Sequence, residues 1–289
     1  MEGRTLLELG LAVVPFEHPL TYPGRPVPWP ALLRGDRLLR LEGGEGSLGG
    51  TVPVGGQGSL GGMRVEGGVR LDRIVADLDR RHPVLAVGSN ASPAQIAYKL
   101  AQRSLGSDVP MVPVTVRGIG IGCSAHVGRA GYVAAAPYPD PGSTRTLVLS
   151  WLDDEQLAAV DATELPNYRR RWLDGSYAEG AGAYVEGPGA WLYTGERGVL
   201  AGPDGRPLPA GEQGALIAGL LAASAALRAL LGPDAASWMR AARADEAVRA
   251  EATRLFAAES RALHPTWPEP SSRGYPPNPY GGVSTAPTS

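Results

Sequence analysis

The chain has 289 residues, 43% of them hydrophobic, with 27 basic against 29 acidic side chains and a formal net charge of -2. That length allows one or two domains, and that apolar share allows a sizeable core. The near-neutral balance, with no long basic block, gives nucleic-acid binding no electrostatic support, and the single Cys123 excludes an internal disulfide.

The apolar segment Leu6 to Val14 is interrupted by Glu8, and no small-residue cleavage site follows it, so it does not read as a signal peptide. No window reaches the roughly eighteen apolar residues that span a bilayer. The longest candidate, Ala215 to Leu231, contains Arg228 and reads as a buried helix. The expectation is a cytoplasmic protein with no membrane partner.

Prolines from Pro15 to Pro30, with Tyr22 and Trp29 between them, forbid helix and favour an extended or polyproline segment. It reads either as a strap around the following domain or as a solvated leader. An imperfect repeat follows, Gly43 to Gly50 and then Gly55 to Gly62. Two copies are too few for a solenoid, and a flexible linker or a mobile lid fits them. Val69 to Arg80 places Leu71, Ile74, Val75 and Leu78 on one face and predicts a short charged helix.

Val84 to Val87 is an apolar run that predicts a buried strand. Gly88-Ser89-Asn90 breaks it, and Ser92, Pro93 and Gln95 read as a capping box opening a helix that buries Ile96 and Leu100. A strand, a tight glycine turn and a helix start can aim several N–H groups at one carboxylate or phosphate. An ordinary βα turn has the same composition.

Strands are expected over Val112 to Val116, Ser124 to Val127, Tyr132 to Ala136 and Thr146 to Leu152, with a strand or bulge at Gly118 to Gly122. Pro137 to Gly142 reads as a turn. Asp153 and Gln156 form a capping-box pair that starts a helix. Leu157, Val160 and Glu164 share its apolar face, where an unpaired carboxylate is costly. Arg169, Arg170 and Arg171 are near enough in sequence to pair with Asp161 or Glu164. One or two strands are expected in Tyr184 to Tyr193, a turn at Gly202 to Gly205, and helices over Gln213 to Leu231 and Asp234 to Leu263. Residues 265–289 read as a disordered tail. The four His lie without metal-ligand spacing, and no metal or cofactor is expected.

Taken in order, these pieces resemble the γ-glutamylcyclotransferase-like fold family. Ala86-Val87-Gly88-Ser89-Asn90 resembles its Y-G-S-N loop. Gly131 to Ala135, Pro141-Gly142 and Leu147 to Leu152 are similar to its glycine-alanine strand, its turn and the strand after it. Asp153 to Glu164 looks like the helix that carries the family's catalytic glutamate, and Asn167-Tyr168-Arg169-Arg170 like the next strand start. The resemblance covers roughly residues 84–200. Val87 stands where tyrosine is usual and Leu165 where glycine is common, and the loop ends in Asn90 where leucine is usual in the glutathione-degrading branch, which argues against glutathione as substrate.

The strands and helices predict a mixed α+β fold, and the resemblance implies that a small domain over 70–204 is built around a strongly bent, barrel-like sheet with short helices. Residues 1–69 would be an N-terminal extension and 205–264 accessory C-terminal helices, which must bury against the core or a second copy of the chain. It implies release of 5-oxoproline from a γ-glutamyl amide, with Glu164 as general acid/base. Val87, Gly88, Ser89 and Asn90 would hold the substrate, with Tyr168 and His126 as pocket residues. Tyr168 also reads as packing and His126 as a structural histidine. A non-catalytic binding module that keeps the anion loop, and a phosphate-ligand site, are the alternatives.

Overall fold

The computed structural model describes residues 3–43, 60, 62–173, 189–259 and 261–267. Most of the glycine repeat, the Gly187-Pro188 break and nearly all of the expected tail lie outside the described residues. The N-terminal part supplies β1 (Arg4–Thr5), β2 (Ala31–Arg34), β3 (Arg37–Glu42), β4 (Arg64–Val65) and β5 (Val69–Arg70). The central part supplies β6 (His82–Ala86), α1 (Pro93–Ala101), β7 (Val109–Val127), β8 (Val133–Leu152), α2 (Asp154–Glu164), β9 (Tyr168–Leu173) and β10 (Ala190–Gly195). Then come β11 (Val199–Leu200), α3 (Gln213–Ala223), α4 (Ala225–Leu231), α5 (Ala235–Ala244), α6 (Glu246–Ala258) and β12 (Ala262–Leu263).

This is a mixed α+β fold. Its 12-stranded sheet runs β5-β4-β3-β2-β7-β8-β6-β10-β9, with β1 added on β3 and β11 bridging β7 and β12. The path is open, and the pairs are antiparallel except β6 with β10. Alternate residues of a strand enter opposite faces. Val84, Val148 and Leu152 therefore join one cluster with Ile96, Leu157 and Val160, while Leu85, Leu147 and Leu149 join another with Leu32 and Leu39. At the far end of β7, Cys123, Ala125 and Val127 pack under the C-terminal helices with Trp238 and Phe256. Ser124 and His126 alternate with them and so leave that cluster for the other face. The ladder between β7 and β8 shifts register between Arg117 and Ile119, where Gly118 has φ +79°. A left-handed glycine at a bulge bends the hairpin there.

Several expectations are corrected. Val69 to Arg80 is no α-helix: it holds β5 and two single 3-10 turns, Leu71–Arg73 and Leu78–Arg80. Pro137 to Gly142 is strand, with Pro137 opposite Ile121 and Pro139 opposite Ile119. Strand β6 pairs with β8 only over Val148 to Leu152, so these prolines sit on an edge where a missing N–H costs no ladder bond. The helix expected over Gln213 to Leu231 breaks at Ser224, whose hydroxyl caps Leu227 N–H at 3.1 Å, and the two halves bend by 120°. The one expected over Asp234 to Leu263 breaks at Asp245, which caps Ala247, and ends before β12. Short polar side chains offer the backbone a local alternative to the helix, and here they win. No single helix among the described residues is long and apolar enough to cross a membrane.

Candidate functional site

The site begins with the start of α2. Asp153 Oδ1 accepts from Gln156 N–H at 2.9 Å, and Gln156 Oε1 accepts from Asp153 N–H at 3.2 Å. This capping box fixes the helix phase. Leu157 and Val160 are buried, and one turn later the same face delivers Glu164.

Helix α1 delivers its partner. Ile96 and Leu100 are buried as expected, and Lys99, adjacent to Leu100, shares their face. Lys99 Nζ donates to Glu164 Oε1 at 2.8 Å and to Asn90 Oδ1 at 2.7 Å, while Asn90 Nδ2 donates to Glu164 Oε1 at 3.0 Å. Side-chain exposure is 8% for Lys99 and 16% for Glu164, so water screens this ion pair weakly. None of the three arginines pairs with Glu164. Arg170 Nη1 lies 3.5 Å from Asp161 Oδ2, Arg169 pairs with Glu196, and Asp161 also accepts from the Tyr193 hydroxyl at 2.6 Å.

Between β6 and α1, the glycine turn is a 3-10 turn over Ser89–Ala91. Its bonds run from Ala91 N to Gly88 O and from Ser92 N to Ser89 O, so Gly88, Ser89 and Asn90 precede its first donor. The Ser92 cap is corrected: its hydroxyl caps nothing and is buried with no hydrogen-bond partner among the described residues. Gln95 is drawn off instead by the N-terminal segment, its Oε1 accepting from Phe16 N–H at 3.0 Å.

That segment is a strap. Val27 N–H donates to Ala91 O at 3.1 Å, Phe16 stacks on Tyr98, and Tyr22 turns inward until it is 6% exposed. The Tyr22 hydroxyl accepts from Ala135 N–H at 2.7 Å, and its ring stacks on Tyr132 at 4.1 Å. A Cβ on Gly88 would lie 2.4 Å from that hydroxyl. Glycine is therefore required at 88 because Tyr22 takes the side-chain space.

Tyr168 donates to Ala135 O at 2.9 Å and meets the His126 ring edge-on at 5.5 Å. His126 Nδ1 is 2.6 Å from Ser124 Oγ. Burial pulls the His126 imidazole down to about 4, against the Glu164 charge, which raises it. Burial likewise lifts the Tyr22, Tyr132 and Tyr168 phenols, and the Glu164 carboxylate adds to each. The Ser89 hydroxyl opposes the shift at Tyr132.

Of the expected site residues, Asn90 touches the Glu164 carboxylate, Gly88 and Ser89 belong to the same turn as Asn90, and Tyr168 and His126 lie near enough to feel its charge. Val87 does not join them: it packs with Leu85 on the opposite sheet face. Sequence reasoning missed Lys99, Tyr22, Tyr132 and Ser124. Lys99 left a signal, a cation on an apolar stripe that mirrors Glu164. Tyr22 left none, since its partner Ala135 is 113 residues away. Comparison of the chain with protein-family models, curated proteins and solved structures finds no match. The arrangement brings the Glu164 carboxyl group, the Lys99 amine and the Asn90 amide together beside the glycine turn, with the Tyr22, Tyr132 and Tyr168 phenols and the His126 imidazole close by.

Proposed function

We propose that the chain is a γ-glutamylcyclotransferase-like enzyme that releases 5-oxoproline from a γ-glutamyl amide, with Glu164 as general acid/base. The observation that carries this reading is the bond from Asn90 of the glycine turn to Glu164, 74 residues on. Two pieces that the resemblance joins in sequence order also meet in space. The reading takes the central sheet as the bent, barrel-like sheet of that family and places the enzyme in the cytoplasm.

In this reaction Glu164 takes a proton from the substrate's α-ammonium. The freed amine attacks its own γ-carbonyl carbon, a tethered ring closure favoured by proximity. The developing oxyanion is met by N–H donors of Gly88 to Asn90. The bond from the γ-carbon to the leaving nitrogen then breaks as Glu164 returns its proton to that nitrogen, and the second proton shed by the ring nitrogen passes to the released amine, so the products are the lactam and an ammonium. Lys99 Nζ lies 2.8 Å from Glu164 Oε1, a cation beside the group that takes the proton in the first step. A non-catalytic binding module is the second reading, favoured by the fact that Glu164 is already paired with Lys99.

The test incubates the protein with γ-glutamyl amino acids and amines beside their α-glutamyl isomers. The enzyme reading expects 5-oxoproline and free amine from γ-linked substrates only. No product across the panel favours the binding module.

A further inference from the structure

Tyr22 lies outside every segment that carries the family resemblance, yet its hydroxyl stands at the glycine turn. It is 6% exposed, it accepts one hydrogen bond, from Ala135 N–H, and no described residue accepts the phenol's own proton. A buried hydroxyl normally uses its donor as well as its acceptor capacity. The free donor lies beside Gly88, on the same turn whose N–H groups before Ala91 make no hydrogen bond within the turn. The strap is pinned on both sides of this residue, by Phe16 to Gln95 and by Val27 to Ala91. Tyr132 holds the ring by stacking. A donor held this firmly needs little reorganisation when charge develops next to it.

We propose that Tyr22 is a catalytic residue of this site: its O–H donates to the substrate oxygen that gains charge over the Gly88–Asn90 turn. The inference rests on the cyclotransferase reading. It makes the proline-rich strap a working wall of the site, and the substrate class is one whose reacting oxygen becomes anionic, as a γ-glutamyl carbonyl does on ring closure.

The test compares wild type, Tyr22→Phe and the double variant Tyr22→Phe/Gly88→Ala in 5-oxoproline release, with circular dichroism to establish that each is folded at the assay temperature. Phenylalanine keeps the ring and its stacking. Once the hydroxyl is gone, the nearest Tyr22 atom to an alanine Cβ at 88 is Cζ, at 3.5 Å, so the double variant refills the space without restoring a donor. The expected result is a fall in kcat of about a hundredfold with KM little changed, in the single and the double variant alike. A Tyr22→Phe kcat within twofold of wild type, or recovery of kcat in the double variant, overturns the proposal and leaves the cyclotransferase reading standing. Wild type that releases no 5-oxoproline overturns that reading, and the oxyanion role of Tyr22 with it.

Discussion

Lys99 and Glu164 each sit on a helix face that is otherwise apolar, and each is tolerable there because of the other. Removing one leaves a poorly hydrated charge without its counter-ion. Lys99→Met should cost about 3 kcal/mol of stability in chemical denaturation, and Lys99→Met/Glu164→Gln clearly less than the sum of the singles. Glu164 was legible in the sequence as a carboxylate on an apolar stripe. Its partner was read as one of three nearby arginines, because proximity along the chain says little about which helix packs where. His126 makes a separate prediction. Its imidazole is held down to about 4 by burial, whereas the unfolded chain titrates near 6.5. The unfolded state therefore binds the proton first, and stability falls as pH drops from about 6.5 to about 4. Up to about 3 kcal/mol is lost through this residue across that window. In His126→Asn, denaturation midpoints measured between pH 7 and pH 4 should show a shallower acid slope than wild type.

At the scale of elements, the strap and the glycine turn are fitted to each other. Gly88→Ala drives a methyl against the Tyr22 hydroxyl and should cost about 2 kcal/mol. In a Tyr22→Phe background the same change should cost under about 1 kcal/mol, read from urea midpoints. Equal costs in both backgrounds would mean that the strap does not dock on this turn. The sequence marked the turn and the proline run but not their contact, since a composition of turn residues is the same whether a ligand or a tyrosine fills the space. Helix starts at Asp153 were legible because both halves of the capping box lie within four residues. Breaks at Ser224 and Asp245 were missed because apolar periodicity continues through them, and only the cap bonds decide.

At the scale of the molecule, the N-terminal strands β2 and β3 extend the same sheet that carries the site, and the C-terminal helices cover its far end. Trp238 is fully buried there and donates to Gly131 O at 2.9 Å, in the connection between β7 and β8. Trp238→Ala should cost about 4 kcal/mol and lower the melting temperature accordingly. Mixed α+β class followed from the strand and helix patterns, but an open sheet of this order did not, because pairing between segments far apart in sequence is set by packing on both faces. The candidate site is assembled at this scale too: Glu164, Asn90, Lys99 and Tyr22 come from a helix end, a turn, a second helix and a strap. The measurement that tests the account most directly is kcat for 5-oxoproline release by wild type and Glu164→Gln on a γ-glutamyl substrate. The account predicts a loss of at least about a hundredfold with the fold retained. A folded Glu164→Gln variant that turns over like wild type would contradict it.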